Sequence, residues 1–139
     1  MTTLADNNPR AYETGDFNDL PVIANDIIFE GAAVGESSAT GTFRPLVAGD
    51  NFAGFAVRKV DNTGGSAAAK NVKVIQKGRI KLAVTGVTAV TDEGATVYAS
   101  DDNTFTLSST NNSEIGKIIR WISGTSCIVA FEAVSVRSI

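Results

Sequence analysis

The chain has 139 residues, a net charge of −3, 43% hydrophobic residues and 19% charged residues. This length predicts a single domain, and the composition excludes a disordered chain and a membrane protein. No run approaches the ~18 to 20 apolar residues that a spanning helix needs. Residues 1–10 lack a basic region followed by an apolar run, so we expect no secretory signal.

The residue types restrict the available chemistry. The sequence has no histidine, which removes the commonest general base and metal ligand. Cys127 is the single cysteine, so an intrachain disulfide and a cysteine-rich zinc site are excluded. The carboxylate pairs Asp92-Glu93 and Asp101-Asp102 lie in predicted turns, where such pairs are usually solvated. We therefore expect no enzymatic activity, no catalytic residues, no metal site and no cofactor.

The charges are distributed unevenly along the chain. Residues 1–50 hold eight acidic and two basic residues, a net of −6, whereas residues 51–100 hold three acidic and seven basic residues, a net of +4. The isoelectric point of 4.8 argues against nucleic-acid binding, which usually shows a basic excess. An acidic front and a basic middle favour head-to-tail association between copies.

Residues 1–20 form the first predicted segment, an extended N-terminal arm. Leu4, Tyr12 and Phe17 are isolated among polar residues, with neither a helical nor an alternating period. Such a segment cannot bury enough surface by itself to offset its ordering entropy. Two interpretations stay open: a disordered terminus, or an arm that becomes ordered against another subunit with these three side chains as anchors.

Residues 21–139 form the second predicted segment, a β-rich domain. Short runs rich in Val, Ile and Thr alternate with Gly, Asn, Asp and Ser clusters, and no stretch has a capped helical period. This pattern predicts an all-β fold, a small antiparallel β-sandwich or barrel. The predicted strands cover 22–24, 27–34, 42–46, 52–60, 71–77, 79–87, 96–99, 104–108, 115–122 and 126–134.

Two stretches of the sequence match at an almost constant offset. Residues 30–34, EGAAV, recur as residues 93–97, EGATV, and Thr42-Phe43 recurs as Thr104-Phe105. Further on, Gly54 matches Gly116 and Arg58 matches Arg120. If this repeat is more than chance similarity between short strands, the domain consists of two similar β-units packed around one core.

Residues 71–84 have the clearest alternation in the chain. The apolar side chains Val72, Val74, Ile80, Leu82 and Val84 have even numbers, so a strand places them on one face. The opposite face carries four cations, and it is either a solvated outer face or a stripe complementary to an acidic partner. These cations are Lys73, Lys77, Arg79 and Lys81.

The last strand and the core complete the prediction. Residues 126–134 are apolar at both parities, which is typical of a strand buried on two sides. Cys127 in this strand is predicted to be a small buried hydrophobe. We expect a core that contains the inward side chains of residues 71–84 and six others, namely Phe43, Phe55, Phe105, Ile118, Val129 and Phe131.

The sequence resembles the head decoration (cement) proteins of tailed bacteriophages. The resemblance lies in residues 8–35, 44–50, 54–57 and 95–103, and extends over nearly the whole chain. It implies a mainly β fold without enzymatic activity, made in the bacterial host and attached to the capsid exterior. The implied partners are the major capsid protein and further copies of the chain, as a homotrimer, with no nucleic acid and no membrane.

A second class of function stays open beside the structural one. A fibre-like or carbohydrate-binding β module would present aromatic platforms to sugars. Trp121, Tyr12 and Tyr98 are the only tryptophan and tyrosine residues, and no cluster of them is predicted. The sites expected to bind the capsid or a partner are therefore the arm anchors and the four cations of residues 71–84.

Overall fold

The computed structural model describes residues 5–7, 15–37 and 41–137, and this part of the chain is nearly all β, which confirms the predicted fold class. Two short 3₁₀ turns lie at Val90–Asp92 and Val134–Val136. The strands are β1 (Phe17–Pro21), β2 (Ile27–Ile28), β3 (Ala33–Ser37), β4 (Thr42–Pro45), β5 (Asn51–Ala56), β6 (Val60–Asp61), β7 (Asn71–Ile75), β8 (Lys77–Thr85), β9 (Thr96–Ala99), β10 (Phe105–Thr106), β11 (Ser113–Ser123) and β12 (Ser126–Glu132).

Ten of these twelve strands form two five-stranded units, and β2 pairs with β6 in a two-stranded antiparallel sheet. The first has the order β1-β7-β5-β3-β4, and the second is a closed barrel with the order β10-β8-β12-β11-β9. Neighbouring strands are antiparallel, except that β10 pairs with β8 in parallel. An odd number of strands cannot alternate direction around a closed ring, so one parallel pair is required. The first unit is a sheet whose two edges are joined, among the described residues, only by an isolated parallel bridge between Val22 and Phe43, and it is called the first barrel below.

The pairing register shows that the internal repeat is structural. Val34 pairs with Gly54 in the first barrel, and Val97 pairs with Gly116 in the second. The glycines Gly31 and Gly94, which precede these strands, both have positive φ angles, 84° and 90°. The two halves of the sequence thus fold as two barrels with the same strand order and register.

The two cores are built from matched side chains. The first barrel encloses one cluster and the second barrel encloses the other. Eight pairs of repeat positions are apolar in both barrels, so a similar pattern of burial specifies both. The matched pairs are Leu20 and Leu82, Val22 and Val84, Val34 and Val97, Phe43 and Phe105, Ala53 and Ile115, Ala56 and Ile118, Val72 and Cys127, and Val74 and Val129.

The first barrel closes one end of the second. Phe55, on β5, lies with its ring centroid 4.9 Å from that of Phe131 and 6.0 Å from that of Phe105. Phe52 makes an edge contact with Phe131 at 6.2 Å. Such edge-to-face pairs add to the energy of apolar burial. Five apolar side chains of the first barrel belong to this second core: Ala33, Leu46, Phe52, Phe55 and Ile75.

The structure corrects three of the predicted elements. Residues 17–20, assigned to the arm, belong to β1, which pairs with β7 from Phe17 opposite Ile75 to Pro21 opposite Asn71. The predicted strands 71–77 and 79–87 correspond to β7 and β8, but these lie in different barrels with the buried Gln76 between them, so residues 71–84 do not share one face. β12 is buried on one face, because its even-numbered side chains are partly exposed.

The predicted core is confirmed in nearly all its members. Val72, Val74 and Val84 are fully buried, and Ile80 and Leu82 pack partly buried against the second core. Of the six other side chains, Phe43 is partly buried and five are buried: Phe55, Phe105, Ile118, Val129 and Phe131.

Gly116 provides a test of the repeat. A Cβ on Gly116 would overlap the carbonyl oxygen of Ala130, and one on its repeat partner Gly54 would overlap that of Ile75. We expect Gly116→Ala to lower the free energy of unfolding by about 1 to 3 kcal/mol, measured by denaturant titration. Gly15→Ala is the control, since a Cβ there meets no atom within 4 Å. Equal stability of the two variants would contradict the close strand approach.

Candidate interaction surfaces

Three of the predicted cations form a stripe on the outside of the second barrel. Lys77, Arg79 and Lys81 lie at alternate positions of β8 and are exposed. Their cross-strand partners on β12 are Glu132, Ala130 and Ile128. Lys77 Nζ lies 4.0 Å from Glu132 Oε1, and both side chains are well exposed. These three cations are called the β8 stripe below.

The fourth predicted cation lies elsewhere. Lys73 is on β7 of the first barrel, opposite Asp19 of β1. Its Nζ is 5.1 Å from the ring centroid of Phe17, which is 43% exposed. Lys73 and Phe17 therefore form one patch, separate from the β8 stripe. The other two predicted anchors, Leu4 and Tyr12, lie outside the described residues.

Two further cations, which the alternation pattern does not identify, lie on β11 of the same barrel. Lys117 is opposite Ala130 and Arg120 is opposite Ile128, so both point outward. A bulge between Ile118 and Arg120 shifts the outward-facing positions of β11 from odd to even residue numbers. A strict alternation pattern in the sequence therefore does not identify Lys117 and Arg120 as one face. β12 lies between β8 and β11, so Arg79 and Lys117 flank Ala130, and Lys81 and Arg120 flank Ile128.

Some acidic side chains in the first third of the chain are paired with a cation, and others are exposed. Asp50 accepts two hydrogen bonds from the Arg44 guanidinium, at 3.0 and 2.9 Å, and its side chain is 8% exposed. These hydrogen bonds raise the pKa of Arg44. Asp16, Asp19 and Glu30 are exposed on the first barrel, while Glu36 is half-buried.

A cavity of about 290 Å³ lies at one end of the first barrel and is lined by Leu20, Phe43, Phe52 and Ala53. Val134 and Ser135, which follow β12, also line it. Its rim includes the polar side chains of Glu36 and Gln76. The equivalent end of the second barrel, as defined by the repeat, is closed by Phe52 and Phe55 of the first barrel.

The turn at Asp101 joins the two barrels. Asp102 accepts a backbone hydrogen bond from Ala33 at 2.9 Å, and Asp101 forms a β-bridge with Val47. The Asp101 carboxylate accepts hydrogen bonds from the Asn103 amide at 2.8 Å and the Thr104 hydroxyl at 3.0 Å. The Asn103 bond is the main reason that the pKa of Asp101 is lowered. This carboxylate therefore stabilises the turn in its ionised form.

Among the described residues, no group of three or more His, Cys, Asp or Glu side chains could hold a metal ion. Burial raises the pKa of the Cys127 thiol, whose side chain lies inside the second barrel, as predicted for a small hydrophobe. No helix in the described part of the chain is long and apolar enough to span a membrane.

Comparison with protein-family models, with curated proteins and with solved structures gave no match to this chain.

The Asp101 turn predicts a pH dependence. Because its pKa is lowered by folding, the Asp101 carboxylate contributes stability above the ordinary aspartate pKa and loses it as the pH falls through the lowered value. Asp101→Asn removes the charge but keeps an acceptor. We expect wild type to be more stable than this variant at pH 7, with a difference that shrinks at acidic pH. Denaturant titrations across pH measure it, and a constant difference would contradict this role.

Proposed function

We propose that this chain is a structural virion protein, without enzymatic activity, that binds the outer surface of a phage capsid. There it joins neighbouring major capsid protein subunits and stabilises the shell. The resemblance to head decoration proteins supplies the class, and the β fold agrees with that class. The partners are the major capsid protein and further copies of the chain, as a homotrimer.

The observation that carries this proposal is the β8 stripe. Three cations project from one strand, and the ion pair of Lys77 with Glu132 is long and exposed, so it is easily exchanged for another partner. Ile128 and Ala130 lie half-buried beside the stripe. A row of cations beside apolar side chains fits an acidic protein surface with an apolar patch.

Assembly as a trimer raises the affinity for the shell above that of a single β8 stripe. Each exposed ion pair contributes ~0 to 1 kcal/mol. Three copies held together bind as one multivalent ligand, so weak contacts combine into strong retention. Binding of this kind weakens as salt screens the charges.

The β8 stripe is tested by charge reversal. Arg79→Glu/Lys81→Glu should weaken binding to expanded shells by about tenfold or more, because like charges then face each other. The matched control is Arg58→Glu/Lys59→Glu, which makes the same change of charge at exposed positions of the first barrel. Cosedimentation with purified shells measures both. Equal binding of the two variants would exclude the stripe as the contact.

The arm is tested by a deletion that spares β1. Removal of residues 2–14 leaves Phe17 and the whole of β1 in place, so the barrels should stay folded. We expect this variant to bind shells much more weakly, because the proposed anchors Leu4 and Tyr12 are lost and aromatic side chains often supply interface energy. Circular dichroism provides the folding control. Undiminished cosedimentation of a folded variant would show that the arm is not needed.

Particle imaging separates this proposal from the alternative. Electron cryomicroscopy of virions should show two small barrels per copy on the capsid exterior. Density at a tail tip would instead support a fibre-like or carbohydrate-binding module.

A further inference from the structure

We infer that Lys117 and Arg120 of β11 bind the same acidic partner as the β8 stripe, so that the binding surface spans three strands and is centred on Ile128. The inference rests on the proposed function and names the chemistry of the partner. This partner is a compact acidic protein surface that carries carboxylates on both sides of an apolar patch.

The strand order places cations on both sides of β12. β12 pairs with β8 along one edge and with β11 along the other, so outward side chains in register form rows across the three strands. Neighbouring strands lie about 4.8 Å apart, which puts the cations of β8 and β11 on backbones roughly 10 Å from each other. The two rows are Arg79, Ala130, Lys117 and Lys81, Ile128, Arg120. The four cations of these rows are called the cationic face below.

The charge of the cationic face is not balanced by the described part of the chain. All four cations are exposed, and the ion pairs between described residues use other basic side chains. Lys77 pairs with Glu132 at 4.0 Å, and Arg137 pairs with Glu114 at 3.8 Å. These two pairs lie at one end of the three strands. The charge is therefore compensated at that end and uncompensated over the cationic face.

Apolar side chains lie between and beside the four cations. Ile128 is half-buried and has a cation on either side. Ile119 and Ile122 on β11 are 38% and 39% exposed. Protein interfaces typically have an apolar centre with a polar rim. Ile128 thus forms the centre of the contact, and the four cations form its rim.

Acidic side chains at the margins restrict the partner. Glu132 and Glu114 lie at one end of the three strands, beyond the row of Ala130. Near the other end, the Glu93 carboxylate accepts a hydrogen bond from the Trp121 amide at 2.9 Å. A long polyanion such as a nucleic acid would pass these carboxylates and be repelled by them. A compact acidic protein surface avoids them and also covers the exposed isoleucines, so it is the partner that the charges favour.

Two rows of cations also orient the partner. Complementary charges fix the register of two surfaces, and like charges oppose a misplaced one. A single stripe on β8 leaves rotation about the strand axis free, whereas cations on both sides of β12 oppose that rotation. The partner surface should accordingly carry carboxylates roughly 10 Å apart, on either side of the group that contacts Ile128.

Charge reversal on β11 tests the inference on shells. Lys117→Glu/Arg120→Glu should weaken cosedimentation with expanded shells by about tenfold or more, as charge reversal on the β8 stripe does, because both pairs face carboxylates of one partner. Arg58→Glu/Lys59→Glu is again the matched control, and circular dichroism verifies folding. Normal shell binding by the folded β11 variant, beside weak binding by the β8 variant, would overturn the inference and leave the proposed function intact.

A second probe tests the partner chemistry without shells. A random copolymer of glutamate and alanine, immobilised on a support, should retain the wild-type protein at low salt. Reversal of either row's pair, on β8 or on β11, should weaken this binding by about tenfold, and the first-barrel control should not. Tighter binding of the wild type to double-stranded DNA, or no dependence on the β11 pair, would overturn the inference. Copolymer binding through both strands without any shell binding would overturn the proposed function alone.

Discussion

The closure of one barrel by the side chains of another is the interaction on which this structure depends. The second barrel contains a complete core only because Phe52 and Phe55 reach it from the first barrel. The rings of Phe52, Phe55, Phe105 and Phe131 form one cluster across the contact between the two barrels, which is called the joint below. Burial of such rings is worth several kcal/mol each, so the two barrels should behave as one folding unit.

This contact also decides which surfaces remain outside. The outer face of β5 and β7 in the first barrel is buried in the joint. The equivalent face of the second barrel, on β11 and β12, carries Lys117 and is exposed. Exposed charges of both signs lie on both barrels, with Asp16, Asp19, Arg58 and Lys59 on the first and Arg79, Lys81, Glu93 and Glu114 on the second.

Much of the fold could be predicted from the sequence, since alternation depends only on local geometry. The apolar set of residues 71–84 and the repeated glycines identified buried faces and matching turns correctly. The division of that run into two strands was predicted, but their placement in different barrels was not, because it depends on long-range pairing. β1 was missed because Phe17 and Asp19 lie on an exposed edge, where no apolar alternation is required. Lys117 and Arg120 were missed because a bulge shifts the register between them.

Native-state hydrogen exchange tests the central claim, which is that the joint makes the two barrels cooperative. Val74 and Val129 occupy matched strands of the two barrels, and their backbone amides report the opening of each. We expect the same free energy of opening at both positions in the wild type, and an equal decrease at both in Phe55→Ala, by about 3 to 5 kcal/mol. Different opening energies in the wild type, or a decrease confined to one barrel, would contradict this account.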